Sequence, residues 1–163
     1  MLSKRPETAN YDISTVTDML CGAAPLSKEL QNDVSSRYGI RIIQAWGMTE
    51  VTCGGTSIPG GVFDNSGSVG PLLANGEGKL LDDDGKEVGV GEPGEIYIRG
   101  PQVCMGYWRN EAATREAISE DGWLKTGDMC VRDERGYFWI VDRKKACLFL
   151  CAGSAPDTDV CRN

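Results

Sequence analysis

The alternation of apolar and polar positions divides the chain into two parts of different texture. The first part, residues 12–47, contains a short apolar run, a stretch with apolar residues at helical spacing, and a β-rich run. These segments lie at residues 16–22, 26–38 and 40–45. Ser27 is suited to cap the start of the helix, and Gly39 stands where a helix commonly ends. The order strand, helix, strand predicts a βαβ unit with parallel strands.

The second part of the chain, beyond Glu50, is rich in glycine turns and short β-rich runs. The candidate strands lie at residues 78–81, 94–99, 123–126 and 137–141, and a further helix at 111–118. The aspartates and glycine of residues 82–86 predict a hairpin-type turn. Ile96 and Ile98 alternate with more polar neighbours, as in a half-buried strand. We therefore expect a β-rich subdomain whose core includes Trp108, Trp123, Phe138 and Trp139.

The changes of texture also predict the domain organisation. The expected fold class is α/β plus β-rich, with a βαβ remnant at residues 1–51 and the β-rich subdomain at residues 52–145. Residues 146–163 form an unrelated tail, which we expect to be disordered. Its apolar run at 146–151 shows neither helical nor alternating polarity, so it predicts no regular element.

Composition and charge limit the classes of function. Charged residues make up 25% and hydrophobic residues 40% of the 163-residue chain, which indicates a globular protein. The formal net charge is −7 and the longest basic run is Arg143-Lys144-Lys145, so binding of nucleic acid by phosphate neutralisation is not expected. No apolar stretch is long enough to span a membrane, and the first residues lack a signal-peptide core. We therefore expect a cytoplasmic protein without a membrane span.

The cysteine and histidine counts narrow the chemistry further. The seven cysteines include no Cys-x-x-Cys pair, which argues against thiolate zinc sites, and their odd number argues against a disulfide framework. We expect most of these cysteines to be buried, reduced and structural. The sequence contains no histidine, which excludes histidine-based acid–base catalysis and histidine metal ligation by this chain.

Three polar segments near strand ends are candidates for ligand binding. A hydroxyl at Thr49 can bind a phosphate and a carboxylate at Glu50 can bind Mg²⁺, but the two could also be a capping pair without a ligand. Asp128 follows a glycine at a predicted strand exit and can accept both hydroxyls of a ribose, although Gly-Asp is also a common turn. Arg143 could contact a ribose or a phosphate, or belong to a solvated face. Each segment alone favours the plain structural alternative.

Six segments, in their order along the chain, resemble the adenylate-forming enzymes. They are Cys21-Gly22-Ala23-Ala24-Pro25-Leu26, Trp46-Gly47-Met48-Thr49-Glu50, Gly94-Glu95-Ile96-Tyr97-Ile98-Arg99-Gly100-Pro101-Gln102, Met105-Gly106-Tyr107-Trp108, Gly122-Trp123-Leu124-Lys125-Thr126-Gly127-Asp128 and Val141-Asp142-Arg143-Lys144-Lys145. The resemblance runs from about Tyr11 to Lys145 and points to the acyl- and aryl-CoA ligase branch, with its 4-coumarate–CoA ligase-like and luciferase-like members. It implies a fragment of the large N-terminal adenylation domain, in which a βαβ piece of a parallel sheet is followed by a small distorted β-barrel.

The resemblance implies a two-step activity. Members join a carboxylic acid to ATP, which gives an acyl-adenylate and pyrophosphate, and then transfer the acyl group to the thiol of coenzyme A. The implied cofactors are ATP or AMP, Mg²⁺ and CoA, and the implied partners are a carboxylic acid and ATP. Because two anions must meet in the first step, Mg²⁺ and cationic side chains would supply most of the stabilisation.

The resemblance also implies roles for individual residues. The implied nucleotide-binding residues are Gly22, Ala23, Ala24, Pro25, Trp46, Gly47, Asp128 and Arg143. The first four would lie along the adenine and acyl pocket, and Trp46 stands where relatives have an aromatic residue stacked on adenine. Asp128 would hold the ribose hydroxyls with help from Arg143. Thr49 and Glu50 are the implied catalytic residues, Thr49 at the phosphate and Glu50 as the Mg²⁺ ligand.

The sequence departs from the family pattern on both sides of the matching segments. No Ser/Thr/Gly-rich phosphate loop ending in lysine precedes the first segment, and the glycine-rich stretch at 52–61 contains no lysine. Lys145 would sit at the hinge about which the small C-terminal domain rotates, but residues 146–163 neither resemble that domain nor contain a lysine. We therefore expect the C-terminal catalytic domain to be absent and this chain alone not to support the ligase reaction, so its status as an enzyme stays open.

Three expectations compete for the chain as it stands, and the plainest is a chain that never folds stably because the βαβ unit lacks most of its sheet. Another is a partial acyl-CoA synthetase-like AMP-binding domain, whose activity belongs to the parent architecture. The alternative is a non-catalytic module that binds a nucleotide or a partner protein. The parent could be peroxisomal, but Cys161-Arg162-Asn163 is not a peroxisomal address, so the expected location is cytoplasmic.

Overall fold

A computed structural model describes residues 5–143, and its first regular unit is strand, helix, strand. β1 (Asp18–Cys21) and β2 (Arg41–Trp46) pair in parallel, and α1 (Lys28–Tyr38) connects them. The side-chain oxygen of Ser27 accepts a hydrogen bond from the Leu30 amide at 3.2 Å, which caps α1. Gly39 ends the helix in the left-handed conformation, with φ of 66°. The predicted βαβ unit is therefore present.

A short strand extends this first sheet. β3 (Thr56–Ser57) pairs antiparallel with β2, which gives a three-stranded sheet in the order β1-β2-β3. A 3₁₀ turn (Thr49–Val51) lies between β2 and β3, and a second 3₁₀ turn (Pro6–Asn10) precedes β1. The turn after β2 places Thr49 and Glu50 directly beyond the carboxyl end of the parallel pair.

The second part of the chain forms a four-stranded antiparallel sheet. Its strands are β4 (Glu77–Leu81), β5 (Gly94–Arg99), β6 (Leu124–Arg132) and β7 (Phe138–Arg143), in the order β4-β5-β6-β7, and α2 (Glu111–Ala117) lies between β5 and β6. All four predicted strands and the predicted helix are present. The turn after β4 is also as predicted, because the Gly85 amide donates to the Asp82 carbonyl at 3.1 Å.

The sheet is open, which corrects the expectation of a small distorted barrel. Within residues 5–143 the outer strands β4 and β7 do not pair with each other. The free edge of β7 is taken instead by the segment after β3: the Val69 amide donates to the Phe138 carbonyl at 2.9 Å, and the Phe138 amide donates to the Gly70 carbonyl at 3.1 Å. The backbone groups of Phe138 on this edge of β7 are thus paired with the segment after β3 and not with β4.

One hydrophobic cluster joins the two sheets. Trp46 and Val51, from the first unit, pack with side chains of the second sheet. The other buried members of the cluster are Val69, Leu80, Ile96, Ile98, Leu124, Cys130 and Phe138. Ile96 and Ile98 are fully buried, as their alternation in the sequence predicted. Since residues from both parts of the chain share this core, it fixes the strand ends of one sheet relative to the other.

The four aromatic residues expected in the core separate into different environments. Phe138 is buried as predicted, whereas Trp108 is 86% exposed, so the expectation for Trp108 was wrong. Trp123 lies beneath Lys79 and Arg99, whose charged groups are 4.3 Å and 4.7 Å from the ring centroid. Trp108 precedes α2, a seven-residue helix without a buried residue, and this helix leaves the tryptophan uncovered. Across the described part of the chain, no helix is long and apolar enough to cross a membrane.

Candidate functional site

The carboxyl ends of β1 and β2 bring two of the predicted segments to one sheet edge. Because Cys21 pairs with Gln44 in parallel register, the loop after β1 and the turn after β2 leave the sheet side by side. A side chain at Gly22 would lie 3.5 Å from the Ala45 carbonyl oxygen, so the first loop runs along the end of β2. Residues 22–25 are all exposed. This edge is the place where open α/β sheets bind ligands.

The turn after β2 is compact because Gly47 has no side chain. A Cβ at this position would overlap the backbone carbonyl of Cys53, and the Cys53 amide donates to the Met48 carbonyl at 3.1 Å. The turn therefore folds back on itself within seven residues. It leaves Thr49 exposed and Glu50 partly exposed, so both side chains are accessible to a ligand.

Asp128 is the most constrained carboxylate of the predicted site residues. It is only 4% exposed, and its two oxygens have different partners. The indole Nε1 of Trp46 donates to Oδ2 at 2.8 Å, and Nε of Arg143 lies 3.1 Å from Oδ1. Arg143 stands directly across from Asp128 in the β6–β7 register. The structure thus brings Trp46 and Arg143 to Asp128. Along the chain, Trp46 lies 82 residues before Asp128 and Arg143 lies 15 residues after it.

The backbone around Asp128 is irregular, and this corrects its predicted place at a strand exit. Asp128 lies inside β6, at a bulge in its pairing with β5. Glu95 pairs with Met129 and Tyr97 pairs with Lys125, so β6 has more residues than β5 between these two pairs. Gly127 supplies the bulge with φ of +77°, and its amide donates to Oε1 of the buried Glu95 at 2.9 Å. The glycine that suggested a turn in the sequence therefore bends a continuous strand.

The environment of Asp128 changes its acidity. Burial raises the pKa of the Asp128 carboxyl above its usual range, and the hydrogen bond from Trp46 and the positive charge of Arg143 act in the opposite direction. The neighbouring Glu95 adds a further upward contribution. The carboxylate is buried yet supported by two donors, so it remains able to accept further hydrogen bonds when it is ionised.

Glu50 has a partner that the sequence did not reveal. The hydroxyl of Tyr107 donates to Oε1 of Glu50 at 2.7 Å. This bond, together with partial burial, raises the pKa of Tyr107 to about 12, so the phenol is protonated and acts as a donor at neutral pH. Tyr107 and Glu95 both lie in segments that carry the family resemblance. Their position in these segments was the one feature of the sequence that could have indicated contacts with the candidate site.

The donor set around Glu50 is sparse. Within residues 5–143 no group of three or more Asp, Glu, Cys or His side chains is arranged to hold a metal ion. A single protein carboxylate fits Mg²⁺ when the remaining ligands are water and the phosphates of a nucleotide, which is how Mg²⁺ is commonly held in nucleotide sites. Lys145, the predicted hinge residue, and the predicted tail lie outside the described residues.

Comparison with known proteins gives the family. A model of the family described as AMP-binding enzyme matches residues 1–108. The chain belongs to the AMP-binding enzyme family. The resemblance to this family that the six segments indicated is therefore confirmed. The hydrogen bonds from Trp46 to Asp128 and from Tyr107 to Glu50 thus lie in a chain of the AMP-binding family.

Curated relatives of this AMP-binding family chain are CoA ligases. The chain is 43% identical over 156 residues to a probable 4-coumarate–CoA ligase 1 of Dictyostelium discoideum, covering 94% of the chain and 28% of that protein. It is 39% identical to the peroxisomal OPC-8:0-CoA ligase 1 of Arabidopsis thaliana, covering 84% of the chain and 26% of that protein. The chain therefore spans about a quarter of the length of the relatives that it matches.

Solved structures show the same fold with nucleotides bound. The anthranilate CoA ligase AuaEII in complex with anthranoyl-AMP aligns with a TM-score of 0.78 and 29% identity, over 85% of this chain and 26% of that chain. The ATP-bound MatB from Rhodopseudomonas palustris aligns with a TM-score of 0.72 and 38% identity, over 77% and 25%. ATP and an acyl-adenylate are therefore ligands of structural relatives of this AMP-binding chain.

Proposed function

We propose that this chain carries part of the nucleotide-binding site of an ATP-dependent carboxylate–CoA ligase. The observation that supports the proposal best is the buried Asp128, held by Trp46 and Arg143 in a chain of the AMP-binding family. Burial disfavours the charge of this carboxylate, and Trp46 and Arg143 offset part of that effect. A ribose, whose two hydroxyls can donate to one carboxylate, would add further donors.

Asp128 retains the capacity to bind a ribose while keeping its present partners. Each carboxylate oxygen can accept about two hydrogen bonds. Trp46 uses one acceptor position on Oδ2, and Arg143 occupies Oδ1 from the exposed side. Ribose hydroxyls would therefore use the remaining positions, with Arg143 close enough to contact the sugar as well. In this arrangement Trp46 orients the carboxylate; stacking of adenine on its ring remains a prediction.

Thr49 and Glu50 would serve the phosphate end of the same nucleotide. Their turn follows β2, the strand that also carries Trp46, so the two ends of the site share one element. Mg²⁺ held by Glu50 would neutralise phosphate charge and stabilise the departing pyrophosphate. The exposed loop of residues 22–25 would line the adenine and acyl pocket beside Ala45.

The names of the relatives support a wider proposal for the parent protein. They are ligases that act on 4-coumarate, on OPC-8:0 and on anthranilate, and all three names specify CoA. We infer a carboxylic acid as substrate and CoA as acceptor, with the βαβ unit (residues 1–51) and the β-rich subdomain (52–145) as two parts of one adenylation domain. Absence of nucleic-acid binding and a cytoplasmic location remain predictions from charge and composition.

The direct test is equilibrium binding of AMP to the purified chain and to D128N. We expect the substitution to weaken AMP binding about tenfold or more, because at least one charge-assisted hydrogen bond to the ribose is lost. The matched control is D84N, which changes an exposed aspartate of the turn after β4. Circular dichroism verifies that both variants fold. Equal AMP affinity of D128N and the unchanged chain would contradict the proposal.

A non-catalytic nucleotide-binding module is the second candidate. It is favoured by one observation: within residues 5–143 no group of three or more Asp, Glu, Cys or His side chains is arranged to hold a metal ion, whereas binding of AMP at Asp128 needs none. Pyrophosphate exchange that depends on a carboxylic acid distinguishes the two candidates. Exchange by the 163-residue chain would show adenylation, whereas AMP binding without exchange would favour the module.

A further inference from the structure

The loop after β5 holds the turn of Glu50 at three points. We call residues 100–107 the clamp loop. The Cys104 amide donates to the Glu50 carbonyl at 2.8 Å, and the Tyr107 hydroxyl donates to the Glu50 side chain at 2.7 Å. The third contact runs in the other direction, from the Thr52 hydroxyl to the Gln102 carbonyl at 2.8 Å. Main chain and side chain of the acidic turn are therefore both tied to a segment 50 to 57 residues away.

The clamp loop itself is anchored on α2, so Tyr107 has a defined position. The Tyr107 amide donates to Oγ1 of Thr114 at 2.9 Å, and that hydroxyl donates to the Asn110 carbonyl at 2.9 Å. A side chain at Gly106 would overlap Thr114, so the loop lies directly on the helix. Asn110 also caps α2 by accepting from the Ala113 amide at 3.1 Å. The phenol therefore reaches Glu50 from a fixed base, although the residue is 40% exposed.

We propose that Tyr107 is a positioning residue that orients the Glu50 carboxylate for a divalent cation. The proposal rests on the proposed role of Glu50 as a metal ligand. A free glutamate side chain rotates about three bonds, and a cation that binds it loses affinity because this side chain must be ordered. The bond from Tyr107 fixes Oε1 and leaves Oε2 open, so the ordering is complete before the cation arrives. Because a protonated phenol donates but does not bring a negative charge, it orients the ligand without competing for the metal.

The geometry also explains why the hydroxyl, and not the ring, is the relevant group. The ring of Tyr107 is partly exposed, and its neighbours Met105 and Trp108 are more exposed still. Little apolar surface is buried there, so removal of the hydroxyl should leave the fold unchanged. The hydroxyl contact with Glu50 is the feature that ties this aromatic residue to the candidate site.

The test uses Mn²⁺ as the probe, because its unpaired electrons broaden the NMR signals of nearby backbone amides. Mn²⁺ is titrated into the full 163-residue chain, first alone and then with ATP. We compare Y107F, E50Q and the double variant, with Y137F as the matched control. Tyr137 precedes β7, where its ring lies under Arg135 at 4.5 Å, so Y137F removes a phenol hydroxyl from another place. Urea unfolding of each variant verifies the fold.

We expect Mn²⁺ to broaden the amides of residues 49–52 and 104–107 in the unchanged chain, and to do so in E50Q only at much higher Mn²⁺ concentration. Y107F should need about tenfold more Mn²⁺, at the lower end of the range found for residues that orient a metal ligand. Y137F should match the unchanged chain. In the E50Q background, Y107F should cause no further loss, because the carboxylate that Tyr107 orients for the cation has been removed.

Three outcomes would overturn the proposal. The first is that Y107F binds Mn²⁺ as tightly as the unchanged chain. The second is that Y107F loses as much Mn²⁺ affinity in the E50Q background as it does alone, and the third is that Mn²⁺ does not broaden the amides near Glu50. The titration with Mn²⁺ alone keeps this test separate from the proposed function. If AMP binds through Asp128 while Y107F has no effect, only the positioning role fails; if AMP does not bind, the nucleotide proposal fails and Mn²⁺ alone still decides the role of Tyr107.

Discussion

At the scale of single residues, Asp128 is a buried carboxylate with a partner at each oxygen. Burial raises its pKa, and the donors Trp46 and Arg143 offset part of that increase. Asp128 is 4% exposed, and each of its oxygens faces a donor, Trp46 at Oδ2 and Arg143 at Oδ1. An asparagine has a single acceptor oxygen and could not satisfy both donors, so these two partners favour a carboxylate at this position.

The raised pKa predicts the pH dependence of binding. A carboxyl with a raised pKa takes up its proton at a higher pH than an ordinary aspartate, so its ability to accept ribose hydroxyls is lost earlier as the solution is acidified. We expect the affinity for adenosine to fall as the pH is lowered from neutral towards the usual aspartate range, and to begin falling before that range is reached. Adenosine is the right ligand because it has no phosphate that titrates in this interval.

The measurement is adenosine binding by calorimetry across that pH interval for the unchanged chain and D128N. D128N should bind adenosine weakly because it lacks the carboxylate. Its affinity should not change with pH, because the asparagine side chain does not take up a proton in this interval. An affinity of the unchanged chain that stays constant over the interval would show that the Asp128 carboxylate does not bind the ligand. A parallel fall in D128N would assign the pH effect to another group.

At the scale of elements, local signals predicted the first part of the fold well. Ser27 and Gly39 determine the ends of α1 through short-range hydrogen bonds and a left-handed turn, and both are visible in the sequence. The strands follow from runs of β-branched and aromatic residues. Gly127 was misleading, because a glycine inside a long strand can shape a bulge as well as a turn.

Contacts between distant elements could not be predicted from local patterns. The bond from Trp46 to Asp128 joins residues 82 apart, and that from Tyr107 to Glu50 joins residues 57 apart. Such pairs depend on how the sheets and the clamp loop pack together. The family resemblance placed Asp128 and Glu50 in a site, but it did not reveal the side chains that hold them.

Gly70 provides a test of how the two sheets are joined. It has φ of +84°, and a Cβ there would overlap the Ser57 carbonyl group, because the segment passes between β3 and β7. We expect G70A to lower the free energy of unfolding by roughly 3 kcal/mol or more, since backbone strain and overlap act together. The control is G85A, in an exposed turn with φ of +79° and no neighbour within 4 Å.

Urea unfolding followed by circular dichroism measures both variants. G85A adopts nearly the same φ without the overlap, so it should cost only about 1 kcal/mol. The difference between the variants isolates the contact between Gly70 and Ser57. Equal losses would mean that the segment moves freely and does not hold the sheets together.

At the scale of the whole molecule, the common core determines the geometry of the candidate site. Trp46 packs with residues of the second sheet and donates to a carboxylate of that sheet, so the core and the site share one side chain. The chain spans 28% of the length of its Dictyostelium relative, and the residues that we propose for a ribose and a cation lie within this portion. The central claim is that this portion binds an adenine nucleotide at Asp128.

The most direct measurement of that claim follows the indole N–H signals of the four tryptophans by NMR during titration with AMP. Trp46 donates its indole hydrogen to Asp128, whereas the indole of Trp139 donates to the Ser66 carbonyl at 3.3 Å and Trp108 is exposed. The account predicts that the Trp46 signal shifts with saturation and that the signals of Trp108, Trp123 and Trp139 do not. An unchanged Trp46 signal at saturating AMP would contradict it.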